Sequence, residues 1–153
     1  MPGSLGTSQE KLHEAVYTRL RDDATLLALT GADPDAGTKA RVYDEPPDNA
    51  AMPYIVVDVP TGTPFNTFSK TGRVWLVDVH VHSSYRGSQE VQQIAARVDA
   101  LLADCEQANH AAGALTVTGH TVADFAFDDL NMLRHSPILR EAVLRYRVTL
   151  QES

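Results

Sequence analysis

The residues whose types and spacing best suit chemistry are Asp78, His80 and His82. On a strand, positions i, i+2 and i+4 face the same way, so a carboxylate and two imidazoles could converge on one metal ion. Against that, neighbours on such a face stand about 7 Å apart along the strand, which spreads a three-ligand set widely. We read the three as the polar face of a half-exposed strand and assign no metal ligand. His13, His110, His120 and His135 are scattered, form no His-Glu-x-x-His pair, and are expected at the surface. Nucleophilic chemistry finds no Gly-x-Ser-x-Gly elbow, and Cys105 falls on the apolar stripe of a helix, where a thiol is an inert core group. The carboxylate pairs Asp22-Asp23 and Asp128-Asp129 are sequence neighbours, which face apart on a strand and act as caps at a helix end. No Gly-x-x-x-x-Gly-Lys or Gly-x-Gly-x-x-Gly run is present to cradle phosphates. No catalytic residue, cofactor-binding residue or cofactor is expected.

The elements that position these groups follow from periodicity. Thr7-Ser8-Gln9-Glu10 matches a capping box, and Leu12, Val16 and Leu20 then recur at helical spacing to about Arg21. Asp22 or Asp23 caps a short helix through Leu26, Leu27 and Leu29, which Gly31 ends. Residues 32–39 read as loop. Arg41 to Asp44 suggests a short strand, and residues 45–49, with adjacent prolines, a turn. A strand over residues 54–59 is closed by Pro60, and residues 61–72 read as a long loop holding Phe65 and Phe68.

Trp75, Val77, Val79 and Val81 alternate with Asp78, His80 and His82 on a long antiparallel strand. Ser88 starts a helix to about Glu106, with Val91, Ile94, Ala95, Val98, Leu101, Leu102 and Cys105 on its apolar stripe. Residues 109–113 connect to a short strand at Leu115-Thr116-Val117, turned by Gly119. Thr121, Ala123, Phe125 and Phe127 alternate next, and Ala142, Leu144, Tyr146, Val148 and Leu150 mark a closing strand. This order predicts an α+β fold, a largely antiparallel sheet with two main helices packed on one face. Residues 1–7 are expected to form a flexible arm and 8–152 a single domain.

Composition narrows the function. Of 153 residues, 43% are hydrophobic and 22% charged, a globular balance. Twenty acidic against thirteen basic residues give a net charge of -7, the wrong sign for a domain that grips phosphates over its whole surface. A local basic patch, as at Arg145 and Arg147, remains compatible. Cys105 is the only cysteine, so neither an intrachain disulfide nor a cysteine-built zinc site is possible. With no signal peptide and no apolar run of membrane-spanning length, the chain is expected in the cytoplasm, off the membrane.

The stretch from Trp75 to Leu102 carries a resemblance. It holds a strand ending in Asp78-Val79-His80-Val81-His82-Ser83, then Ser84-Tyr85-Arg86-Gly87, then a helix centred on Ile94-Ala95. With Arg41-Val42-Tyr43-Asp44 and Met52-Pro53-Tyr54-Ile55-Val56-Val57 before it and Arg145-Tyr146-Arg147-Val148 after it, the chain resembles the tail completion, or tail terminator, family of long-tailed bacteriophages and phage-derived gene transfer particles. The similarity runs from about residue 12 to 152 and rests on the order of the motifs; residues 32–39 and 109–113 depart from it.

The resemblance implies a non-enzymatic structural virion protein, assembled in the host cytoplasm. It would form a homo-oligomeric ring, a hexamer in the relatives, on the head-proximal end of the tail. Its partners would be other copies of itself, the tail tube protein and the head–tail connector protein, with DNA only in transit through the lumen. Phe65 and Phe68, with Arg73, Tyr85 and Arg86, are the expected self-assembly or partner interface, because aromatic residues in a polar loop favour buried interface centres. The competing class is a small metal-dependent enzyme built on Asp78, His80 and His82. A binding module with a ligand groove over the sheet is a third class, for which the sequence offers no polar cluster.

Overall fold

A computed structural model describes residues 4–64, 72–108 and 115–152. Helix α1 (Ser4–Arg21) opens a turn ahead of the expected cap and buries Leu12, Val16 and Leu20. Helix α2 (Ala24–Thr30) starts at Asp23, whose carboxylate accepts from Leu26 N–H at 2.9 Å. It stops at Gly31, whose φ of 85° suits a residue without a Cβ. The Arg41 guanidinium then donates to the carbonyls of Thr30, Ala32 and Met52, binding the end of α2 to the chain that enters the sheet.

Residues 32–39, expected as loop, form a small hairpin of β1 (Ala32–Asp33) and β2 (Ala36–Ala40). Asp33 makes its turn by accepting from Asp35 N–H at 3.0 Å, a local bond that sequence periodicity does not reveal.

The main sheet runs β3-β4-β5-β7-β6, with β3 (Val42–Tyr43) parallel to β4 (Tyr54–Pro64) and every other pair antiparallel. β5 (Gly72–Ser83) is central, and β7 (Leu139–Glu152) pairs with it from Arg140 to Gln151. The fold is therefore α+β with mostly antiparallel strands. Pro60 does not close β4 as expected. The register shifts between Asp58 and Thr61, so the proline occupies an irregularity where the ladder asks no N–H of it. Gly62 and Trp75 then face each other across β4 and β5, and the indole Nε1 donates to Ser8 Oγ on α1 at 3.2 Å.

Helix α3 (Gln89–Ala108) buries Val91, Ile94, Ala95, Val98 and Leu102 against the face of β5 and β7 that carries Val77, Val79, Val81, Leu144 and Tyr146. Leu101, expected on the buried stripe, packs only partly against the core, and the Cys105 side chain lies outside the described ones. Tyr146 is fully buried, and its hydroxyl donates to Asp99 on α3 at 2.8 Å. Leu115 and Val117 are buried without joining a strand, contrary to expectation; they anchor the chain by side-chain packing. The largest difference lies at residues 129–140, to which the sequence assigned no element. They belong to a long hairpin of β6 (His120–Ser136) and β7.

Candidate functional site

With α1 and α3 on one face of the sheet, the other face of β5 and β7 collects the polar groups. Asp78 lies opposite Arg145, and the guanidinium grips both carboxylate oxygens, at 2.8 and 3.0 Å. This fork raises the Arg145 pKa, first through the hydrogen bond and then through the charge of Asp78. Asp78 is thereby diverted from His80 and His82, so the enzyme alternative's ligand set does not assemble.

Glu141 takes its place. It faces His82 directly across the ladder and reaches His80 diagonally, the two cross-strand positions from which side chains meet. His80 Nδ1 lies 2.8 Å and His82 Nε2 3.7 Å from Glu141 Oε2. The other oxygen, Oε1, meets His135 Nε2 at 2.8 Å. His135, expected as an isolated surface residue, reaches this carboxylate because the register of β6 shifts between Arg134 and Ser136, and a bulge re-aims a side chain. Tyr54 stacks on His82 with ring centroids 4.9 Å apart.

Burial works to raise the Glu141 pKa, but hydrogen bonds from His135 and His80 and the nearby imidazoles outweigh it and hold the carboxyl below its usual range. Burial also lowers the His82 pKa, against the pull of Glu141. Glu141 escaped the sequence reading because it lies 61 residues from His80 and only sheet register joins them.

A second feature lies on the helix-covered face at the sheet's edge. β6 is an edge strand, and Phe127, Leu130 and Met132 lie opposite Tyr146, Leu144 and Ala142, so they continue the core's own face. Here they stay 44%, 46% and 41% exposed. Leu133, Ile138 and Leu139 are exposed around the adjacent turn. The apolar face of the sheet thus runs on to the edge beyond its cover.

Of the expected interface residues, Phe65 and Phe68 lie outside the described residues. Arg73 is half-buried at the start of β5, next to Pro64 and Leu150. Tyr85 and Arg86 are exposed beyond the other end of β5, a strand's length from Arg73. Tyr85 is held there: its N–H donates to Ser83 Oγ at 3.1 Å, and that hydroxyl donates to Glu90 on α3 at 2.6 Å. Ser83 faces Arg140 across the ladder, which puts Tyr85 at the same end of the sheet as Ile138 and Leu139. The sequence signal for these missed residues was Ser136-Pro137 between two apolar-rich runs.

No curated protein sequence matches the chain. Among solved structures, a chain from the virion of a native gene transfer agent particle superposes with a TM-score of 0.77 at 22% identity, covering 99% of each chain. At that identity the likeness shows a shared fold. A family model described as tail completion protein gp17 matches residues 14–151, nearly the whole length, and the chain belongs to that family.

Proposed function

We propose that the protein forms a ring, sixfold as the sequence resemblance implies, on the head-proximal end of a tail tube. There it ends tube growth and joins the connector of the filled head, letting DNA pass. Family membership makes it a structural virion protein of the tail. The observation that carries the finer reading is the uncovered apolar strip of β6. Leu130 and Met132 are 46% and 41% exposed on β6, the edge strand of the sheet among the described residues, and the outward N–H and C=O groups of an edge strand invite pairing. A monomer gains nothing from that arrangement, whereas a neighbouring copy would bury the strip and cover the edge. Ile138, Leu139 and Tyr85 are also exposed, at the end of the sheet where Ser83 pairs with Arg140. The role needs no catalysis, and among the described residues no helix is long and apolar enough to cross a membrane.

The test is complementation. Particles made without the protein should accumulate separate heads and tails, and the native chain should restore joined particles. A Leu130→Ser, Met132→Ser variant should stay folded, since both side chains are already exposed, yet fail to restore joining and fail to form rings on tail tubes. Normal joined particles from that variant, or from cells lacking the protein, would remove the basis for the proposal.

A further inference from the structure

The polar cluster on the open face of the sheet holds more ligand chemistry than a structural ion pair requires. Three imidazoles surround the one carboxylate of Glu141. Two of them, on His80 and His82, stack at 6.3 Å between centroids with their planes 14° apart, and both turn a ring nitrogen toward the same oxygen. His80 Nδ1 makes a hydrogen bond to that oxygen, but His82 Nε2, at 3.7 Å, lies beyond hydrogen-bond range. One donor atom from each of His80, His82 and Glu141 fits within a set whose members are all within 4.8 Å of one another.

We propose that His80, His82 and Glu141 bind one divalent transition-metal ion, zinc above all, with His135 fixing the carboxylate from its second oxygen. Two imidazoles and a carboxylate are a known three-ligand zinc set with a fourth position left for water. Imidazole nitrogens suit zinc, copper or nickel, whereas magnesium and calcium take all-oxygen sites. Zinc holds nitrogen and oxygen donors at about 2.0–2.1 Å, so tetrahedral ligand atoms stand roughly 3.4 Å apart. The His80–Glu141 pair at 2.8 Å would open by about 0.6 Å, and no pair, all lying within 4.8 Å, would have to close by more than about 1.4 Å.

The surroundings are suited to the ion. The ring nitrogens of His80 and His82 and one oxygen of Glu141 already converge on one spot of the open face. The bond from His135 to Oε1 is the outer-shell contact that orients a ligating carboxylate. Tyr54 covers the far face of His82. The nearest acid along the strand, Asp78, is neutralised by Arg145 and stays out of the set. An ion here would tie β5 to β7 and, through His135, to the turn end of β6, beside the apolar strip.

The experiment uses the full chain without a histidine tag, stripped with chelator and titrated with zinc chloride by calorimetry. One ion per chain should bind with micromolar or tighter affinity, and the melting temperature should rise with zinc. Cobalt in place of zinc should give the visible absorption of a low-symmetry, nitrogen-containing site. His82→Gln should weaken binding about a hundredfold or more, and His135→Asn about 10- to 100-fold. Asp78→Asn should leave the affinity unchanged. His82 is partly exposed, so its variant should fold; circular dichroism confirms that before titration, with His80→Gln as the second variant. Failure of the native chain to bind zinc would overturn the proposal. So would zinc affinity untouched by both histidine variants, or equal binding of magnesium.

Discussion

Single residues decide how closely β4 and β5 can meet. An ideal Cβ on Gly62 would stand 2.4 Å from the six-membered ring of Trp75, well inside contact distance. Glycine is thus required there by a close approach rather than by a turn, and Trp75 is 2% exposed beneath it. Gly62→Ala should cost about 1–3 kcal/mol as the indole is pushed from its place over α1. Denaturant unfolding followed by tryptophan fluorescence checks this, because the ring that moves is the only tryptophan. An unchanged midpoint and emission maximum would mean that the two strands separate more easily than their pairing suggests. At the same scale, Leu102 is fully buried while Leu101 beside it is only partly so, a one-residue difference that helical periodicity does not resolve.

Among the elements, α2 owes its position to one carboxylate. Asp23 caps its N-terminus and also receives a fork from Arg97 on α3, at 2.9 and 2.7 Å. The Arg97 hydrogen bond, opposed by burial and aided by the Leu26 N–H, lowers the Asp23 pKa from its usual 3.8. A carboxyl whose folded pKa is depressed contributes stability that is fully present above its unfolded value and is lost as pH falls through the folded one. Asp23→Asn keeps a capping oxygen but removes the charge, so it should be less stable than the native chain at neutral pH. The gap should close as pH falls below 3.8. Asp23→Ala, which also loses the cap, should cost about 0.5–2 kcal/mol more. Thermal melts from pH 7 down to about pH 2 measure both effects; a gap that widened in acid would mean the Arg97 pair is not what holds α2.

For the whole molecule, the charge of -7 bears on the proposed passage of DNA. In the proposed role, a ring through which DNA passes must not hold its phosphates, and an acidic subunit repels them at long range. Assembled rings should therefore leave duplex DNA unretarded in gel-shift experiments at physiological salt, and a tight, salt-sensitive complex would contradict passage.

The sequence by itself determined the class of the fold and the buried faces of α1, β5, α3 and β7, because helical and strand periodicities are local and survive in a linear string. It also supported the family, since short motifs in order need no geometry. It left the β6 hairpin unread for a physical reason. Register shifts at residues 122–124, 127–129 and 134–136 each slip the alternation by one residue, so Phe125 and Phe127 fall out of phase with Leu130 and Met132. Only the tertiary structure could bring Glu141 and His135 to His80 and His82, give Asp78 to Arg145, and leave the apolar strip of β6 uncovered. Those outcomes depend on which strands are neighbours, in what register, and where the helices end. Such contacts join residues far apart in the chain, and no local pattern encodes them.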